Sequence, residues 1–297
     1  MPGSATPSAA IPPSRQTARG QLLLVLSALA FSSAGFFARE APVDLWAMVF
    51  WRNLFGSAAL LPLLLVSKDG ASWRSILLLG RWGWATIAAS SFATICFLAA
   101  FAHTSVANVS IIYATAPMLT ALIAWLWLHE KTTGRTMCAA VLALIGVAAT
   151  AAGSLRAGTL LGDGLAFMMA VSMSLMTVLA RRHARLPALL TACIASLLAA
   201  SIVLPLGWVS GASFVVSWQE MGWLATFGIV TMAIALPCYF SGTARVPAGE
   251  AMLISALEMP LAPLWVWLAF AEIPPGASLI GGGIVALAII WQLGRGP

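Results

Sequence analysis

The sequence predicts an all-α polytopic membrane protein: ten transmembrane helices in two inverted five-helix repeats, with both termini cytoplasmic. Three observations predict it. The 297 residues are 61% hydrophobic and only 8% charged, against about 25% charged in soluble domains, so too little polar side chain exists to cover a water-facing surface. Apolar runs of membrane-spanning length recur along the chain. One stretch is also written twice, 142 residues apart.

A hydrocarbon core about 30 Å thick takes about 20 helical residues to cross. Ten segments qualify: 21–38, 45–66, 82–102, 107–128, 135–153, 163–180, 187–208, 220–242, 247–270 and 275–292. Residues 1–20, rich in Pro, Ser and Ala, read as a flexible tail. Residues 21–153 and 163–292 then hold five spans each. The run from Gln21 reads as a retained span, because nine apolar segments follow it. The short run at 73–82, interrupted by Arg74 and Arg81, reads as a loop or interfacial turn. Reading each neighbouring pair across the tight gaps near 103–106 and 243–246 as one long helix would give eight spans, the main competing count. The length of 82–128, about 47 residues, argues against it because it would far exceed the bilayer.

Charge orients the spans. With the amino terminus inside, the inner side holds Arg15, Arg19, Lys68, Arg74, Arg81, Lys131, Arg135, Arg181, Arg182, Arg185, Arg245 and Arg295. The outer side holds Arg39 and Arg156, and Arg52 falls within a span. Basic residues concentrate in cytoplasmic loops, so both termini are assigned to the cytoplasm. Most of the net charge of +6 is therefore a topology signal, and no nucleic-acid partner is needed to explain it. Cys96, Cys138, Cys193 and Cys238 lie in apolar runs and read as free thiols. No phosphate-binding glycine pattern points to nucleotide chemistry. His103, His129 and His183 sit at separate loop positions, so neither a catalytic set nor a metal site is expected.

The duplicated stretch runs from 96–134 to 238–276. Its matches include Cys96 with Cys238, Ala114 with Ala256, Trp125 with Trp267, Glu130 with Glu272 and Gly134 with Gly276. Glu130 follows the fourth span and Glu272 the ninth. An odd number of crossings separates them, so the two halves must be inverted. Inverted repeats enclosing a midplane site are a recurring plan for secondary transporters.

Further residues carry a resemblance: Arg52, Pro117, WLWLHE at 125–130, GDGLAFMMA at 162–170 and ALEMP at 256–260. In order and spacing they resemble the EamA branch of the drug/metabolite transporter superfamily, and most of all its YddG-type amino acid exporters. The resemblance implies a ten-helix carrier of two inverted repeats that exports small metabolites. The second half departs from the family pattern, since Met259 separates Glu258 from Pro260.

Candidate cavity residues follow from cost and placement. Glu258 lies mid-span, where a carboxylate costs at least about 2.5–3.5 kcal/mol. Such a group faces a cavity or a partner. Asn108, Tyr113 and Thr115 are the cavity candidates of the fourth span. Phe97 and Tyr239 occupy matching places in the repeat and read as paired aromatic walls. Ser33 and Ser174 are weakly polar candidates in the first and sixth spans. Arg52 and Glu250 read as substrate or ion-pair groups, with snorkelling or an ion pair preferred for Arg52. Pro117, Pro237 and Pro260 read as helix breaks or gates. The fifth and tenth spans, almost free of polar groups, read as scaffold or homodimer contact.

The expected protein is a secondary transporter in the bacterial inner membrane. It exports small amphipathic metabolites, amino acids among them, by alternating access. Its partners are that substrate and membrane lipids; it works as a monomer or homodimer and uses no cofactor. The alternatives are a membrane-embedded enzyme and a channel.

Overall fold

The computed structural model describes residues 15–66, 79–104, 106–151, 160–183, 186–271 and 276–293. Every described element is helical, as lipid requires when backbone groups can be satisfied only within a segment. In chain order they are α1 (Arg15–Ser32), α2 (Ala34–Glu40), α3 (Leu45–Val66), α4 (Gly80–His103), α5 (Val106–Tyr113), α6 (Ala116–Leu128) and α7 (Gly134–Ala151). The second half holds α8 (Leu160–Arg182), α9 (Ala188–Val209), α10 (Trp218–Gly228), a π-helical stretch (Ile229–Ala235), α11 (Leu236–Thr243), α12 (Ala248–Ser255), α13 (Glu258–Phe270) and α14 (Gly276–Leu293).

Among the described residues, each of the ten predicted segments overlaps helix. Among the described residues, seven continuous or kinked helices are long and apolar enough to cross a membrane: Gln16–Glu40, Leu45–Leu65, Asn108–Leu128, Leu160–Arg182, Ala188–Val209, Trp218–Thr243 and Ala248–Phe270. Gly134–Ala148 and Leu279–Gln292 are apolar but shorter. Their outward faces carry exposed side chains such as Leu65, Leu126, Leu268 and Leu287, as lipid-facing surfaces do. The four cysteines are free.

Two expectations are corrected. The first helix begins at Arg15, inside the stretch read as tail. The fourth and ninth segments are not single helices. One breaks at Ala114–Thr115 and the other at Ala256–Leu257, each just ahead of a proline in the next helix. Each proline lacks the N–H that would bond the carbonyl four residues back, at Tyr113 and Ala256. Residues 67–78, which hold most of the predicted interfacial turn, and Glu272 lie outside the described residues.

The breaks expose the repeat. α5, α6 and α7 recur as α12, α13 and α14 with every boundary moved by 142 residues. α6 and α13 each end on a left-handed non-glycine residue, His129 at φ 55° and Ala271 at φ 53°, again 142 residues apart.

Contacts between the halves fix their relative direction. Near the start of α7, the Thr136 hydroxyl accepts a 3.0 Å bond from Gln292 near the end of α14. Farther along α7, Gly146 meets Gly281 near the start of α14. A Cβ on Gly146 would lie 2.6 Å from the Gly281 carbonyl oxygen, so only glycine permits this approach. The two homologous helices are thus antiparallel, and so are α3 and α9, where Trp46 meets Gly207 while Cys193 meets the Ser57 carbonyl. The first span of each half packs on the third span of the other, with Gly20 against Arg245 and Val246 and Gly162 against His103 and Thr104. These two contacts are the same contact repeated at the 142-residue offset. The halves are inverted.

Candidate functional site

A cavity of about 520 Å³ lies between the halves, within the size range of small-molecule sites. It takes residues from both repeats and from nearly every helix. Met169, Met173 and Met176 of α8 form one apolar strip, at spacings that keep them on one helix face, with Met232 and Met259 facing them and Phe31 and Phe97 adding aromatic surface. The polar lining is sparse: Ser32, Arg52, Asn53, Ser90, Thr94, Ser110, Tyr113, Ser196, Tyr239, Ser255 and Glu258. Mostly apolar walls with a few convergent polar groups suit an amphipathic solute.

The predicted residues sort cleanly. Glu258, Tyr113, Phe97, Tyr239, Arg52 and Pro260 line the cavity. Glu258 opens α13 directly after the helix break, and its carboxyl pairs with the Tyr113 hydroxyl of the other repeat. Pro260 packs closely on Gly282, so that α13 and α14 meet at the cavity wall.

Other predicted residues are occupied elsewhere. The Asn108 amide donates to Asp163 at 3.3 Å and to the Thr104 hydroxyl at 3.1 Å. Thr115 donates to the Ile112 carbonyl at 2.7 Å and serves the helix break. Ser33 sits at the kink between α1 and α2 and donates to the Ala30 carbonyl at 2.6 Å. Its neighbour Ser32 lines the cavity and accepts a 2.7 Å bond from the Trp265 indole. Buried Ser174 donates to the Ala170 and Ala116 carbonyls, joining α8 to α6. Glu250 accepts a 2.7 Å bond from Gln21 at the helix ends, away from the cavity. Pro117 and Pro237 occupy the first turns of α6 and α11, Pro117 after the break and Pro237 after the π stretch. Neither lines the cavity. The fifth and tenth segments do reach it, through Val147, Gly282 and Val285, which corrects their purely scaffold reading.

The basic residues gather at one end of the bundle. There Arg181 Nε pairs with Glu130 at 2.9 Å, while its Nη1 donates to the Ala244 carbonyl at 3.0 Å. Glu130 also accepts from the Ala248 N–H at 3.3 Å. Arg182 donates to the Trp127 carbonyl, and Trp82 packs between Trp127 and His183. This cluster ties α6, α8, α11 and α12 together. The sequence had marked Glu130 only as a helix end.

Next to the cavity, which Tyr239 lines, is a buried layer of three residues from the second half. The Thr177 and Tyr239 hydroxyls are 2.5 Å apart, and the Met252 sulfur lies 3.8 Å and 3.7 Å from them. All three residues are buried. Their counterparts at the 142-residue offset are Gly35, Phe97 and Ser110, and all three line the cavity.

Two inverted helical repeats around a central, mostly apolar cavity define a membrane transporter of the inverted-repeat class. The chain belongs to the EamA-like transporter family, whose model matches it twice, over residues 18–152 and 160–293. This places it in the EamA branch of the drug/metabolite transporter superfamily, as a multi-pass membrane protein. A solved crystal structure shares the fold with a TM-score of 0.80, covering 94% of this chain and 98% of that one at 18% identity. No curated protein matches the sequence.

Proposed function

We propose that the protein is a secondary carrier that exports small amphipathic metabolites by alternating access, with amino acids bearing apolar or aromatic side chains as the foremost candidates. One observation carries this reading. Thr177, Tyr239 and Met252 pack together, with Tyr239 alone of the three bordering the cavity, whereas their repeat counterparts Gly35, Phe97 and Ser110 all line it. Exchange of those two arrangements between the repeats would present the cavity to opposite sides of the membrane in turn. The methionine and aromatic walls suit an apolar side chain, and Arg52, Glu258 and Tyr113 suit a charged head group. The resemblance to YddG-type exporters favours amino acids.

The same proposal puts ten spans in the bacterial inner membrane, with the basic end and both termini in the cytoplasm. The clustering of Arg181, Arg182, Arg135 and Arg245 at one end supports it under the positive-inside rule. A cysteine at Ser213 or Asp44 is then labelled by an impermeant thiol reagent from outside, and one at Lys131 is not.

Proteoliposomes loaded with L-tryptophan or L-leucine test the transport reading. The expected result is saturable flux, accelerated when unlabelled substrate is present on the far side. Linear flux without counterflow would indicate a channel, and a chemically altered product would indicate an enzyme.

A further inference from the structure

Arg52 holds an unusual position. It begins the third turn of α3, about 10 Å from the helix start at 1.5 Å per residue, and its side chain lines the cavity. The sequence favoured snorkelling or an ion pair, and the structure shows neither. Its Nε is buried without a hydrogen-bond partner. Among the described residues no carboxylate lies within ion-pair distance of it. Glu258, the acidic residue lining the same cavity, is paired with Tyr113 instead.

The one contact that partly compensates the charge is aromatic. The Arg52 Cζ lies 5.1 Å from the centroid of the Phe227 ring, which in turn stacks on Phe37 at 5.2 Å. A cation–π contact with phenylalanine offsets only a small part of the desolvation of a guanidinium. The fold therefore holds a cation with unspent donors, backed by an aromatic wall, at the edge of a site sized for a small molecule. A guanidinium presents a planar fork that matches a carboxylate through two parallel hydrogen bonds.

We propose that Arg52 is the docking group for a carboxylate on the transported molecule, so that the cavity selects carboxylate-bearing amphiphiles over their neutral or purely cationic analogues. This inference rests on the carrier reading of the cavity, but it concerns binding and is tested without flux. If proteoliposome transport fails while carboxylate binding persists, only the carrier reading falls.

The test is ligand-dependent thermal stabilisation of the purified protein, using matched probes: L-tryptophan, indole-3-propionate and tryptamine. The two carboxylates should raise the melting temperature of the wild type at millimolar concentration, with tryptamine weaker by about tenfold or more in apparent affinity. R52Q should lose that preference and bind the three probes alike. R52K, which keeps the charge without the fork, should fall between. Without ligand, R52Q should melt at or above the wild-type temperature, because it removes an uncompensated buried cation. A purely structural arginine would instead lower it. Equal binding of tryptamine and the carboxylates by the wild type would overturn the proposal. Unchanged carboxylate affinity in both variants would do the same, as would failure of either carboxylate to stabilise the wild type.

Discussion

At the basic end, Thr177, Tyr239 and Met252 meet in a buried layer, and the Glu130–Arg181 pair lies beyond it. At the other end, the counterpart positions hold Gly35, Phe97 and Ser110, and they line open cavity. The sequence repeats the charged partners too, as Arg39 and Glu272, although residue 272 lies outside the described residues. Arg39 stands over the Phe270 ring at 5.7 Å. The two ends share one plan but differ in side-chain size and hydrogen bonding. Met252 against Ser110 and Thr177 against Gly35 give the basic-end layer more apolar area to bury. Tyr239 against Phe97 adds a hydroxyl pair. Burying a side chain the size of methionine is worth about 1.5–3 kcal/mol, and a net hydrogen bond about 1 kcal/mol. For the carrier proposed above, this difference would favour closure at the basic end at rest, with the opposite arrangement as a minor state of about 0.1–10% of the population.

That inequality is open to manipulation. In a protein whose four native cysteines are replaced, a cysteine at Ser255 reports access to the cavity from either side. The largest effect should come from M252S, which gives the basic-end layer the residue of its counterpart. Loss of about 2 kcal/mol of burial corresponds to a roughly thirtyfold increase in labelling from the cytoplasmic side. Labelling from that side at the unchanged rate would break the comparison. Y239F matches Tyr239 to Phe97 and removes the hydroxyl pair. It should raise cytoplasmic labelling about fivefold, for about 1 kcal/mol. E130Q should have the smallest effect, a few-fold at most and weaker in high salt. The pair is partly solvated, with side-chain exposures of 27% for Glu130 and 28% for Arg181, and such pairs contribute up to about 1 kcal/mol. An E130Q effect larger than that of M252S would move the closure from the layer to the ion pair.

Much of the fold could be read directly from the sequence, because lipid imposes length and apolarity on each crossing. The inversion was also legible, through the Trp125/Trp267 and Glu130/Glu272 matches. The helix breaks were foreshadowed by Pro117 and Pro260, since a proline cannot donate to the carbonyl four residues back. The candidate site was less legible, because which way a polar side chain turns depends on partners far away in the chain. Asn108 is held by Asp163, 55 residues on, and Ser174 by Ala116, 58 residues back. Ser32 and Ser33 are adjacent and both donate to the carbonyl three residues back, yet about 100° of helical rotation puts only Ser32 on the cavity wall and in reach of the Trp265 indole. The π stretch that carries Met232 left no mark in the sequence beyond the nearby Pro237. Arg52 misled in the opposite direction, because seven residues from a helix end is within snorkelling reach unless a cavity lies closer.

If the two repeats exchange conformations as proposed, Gly35, Phe97 and Ser110 must at times close as Thr177, Tyr239 and Met252 do. Cysteines at Gly35 and Ser110, in the cysteine-replaced background, measure this directly with a short bifunctional thiol reagent. Cross-linking should grow as M252S is added, and should abolish flux in proteoliposomes once complete. Positions 35 and 110 that never cross-link, or that cross-link without any loss of flux, would contradict it.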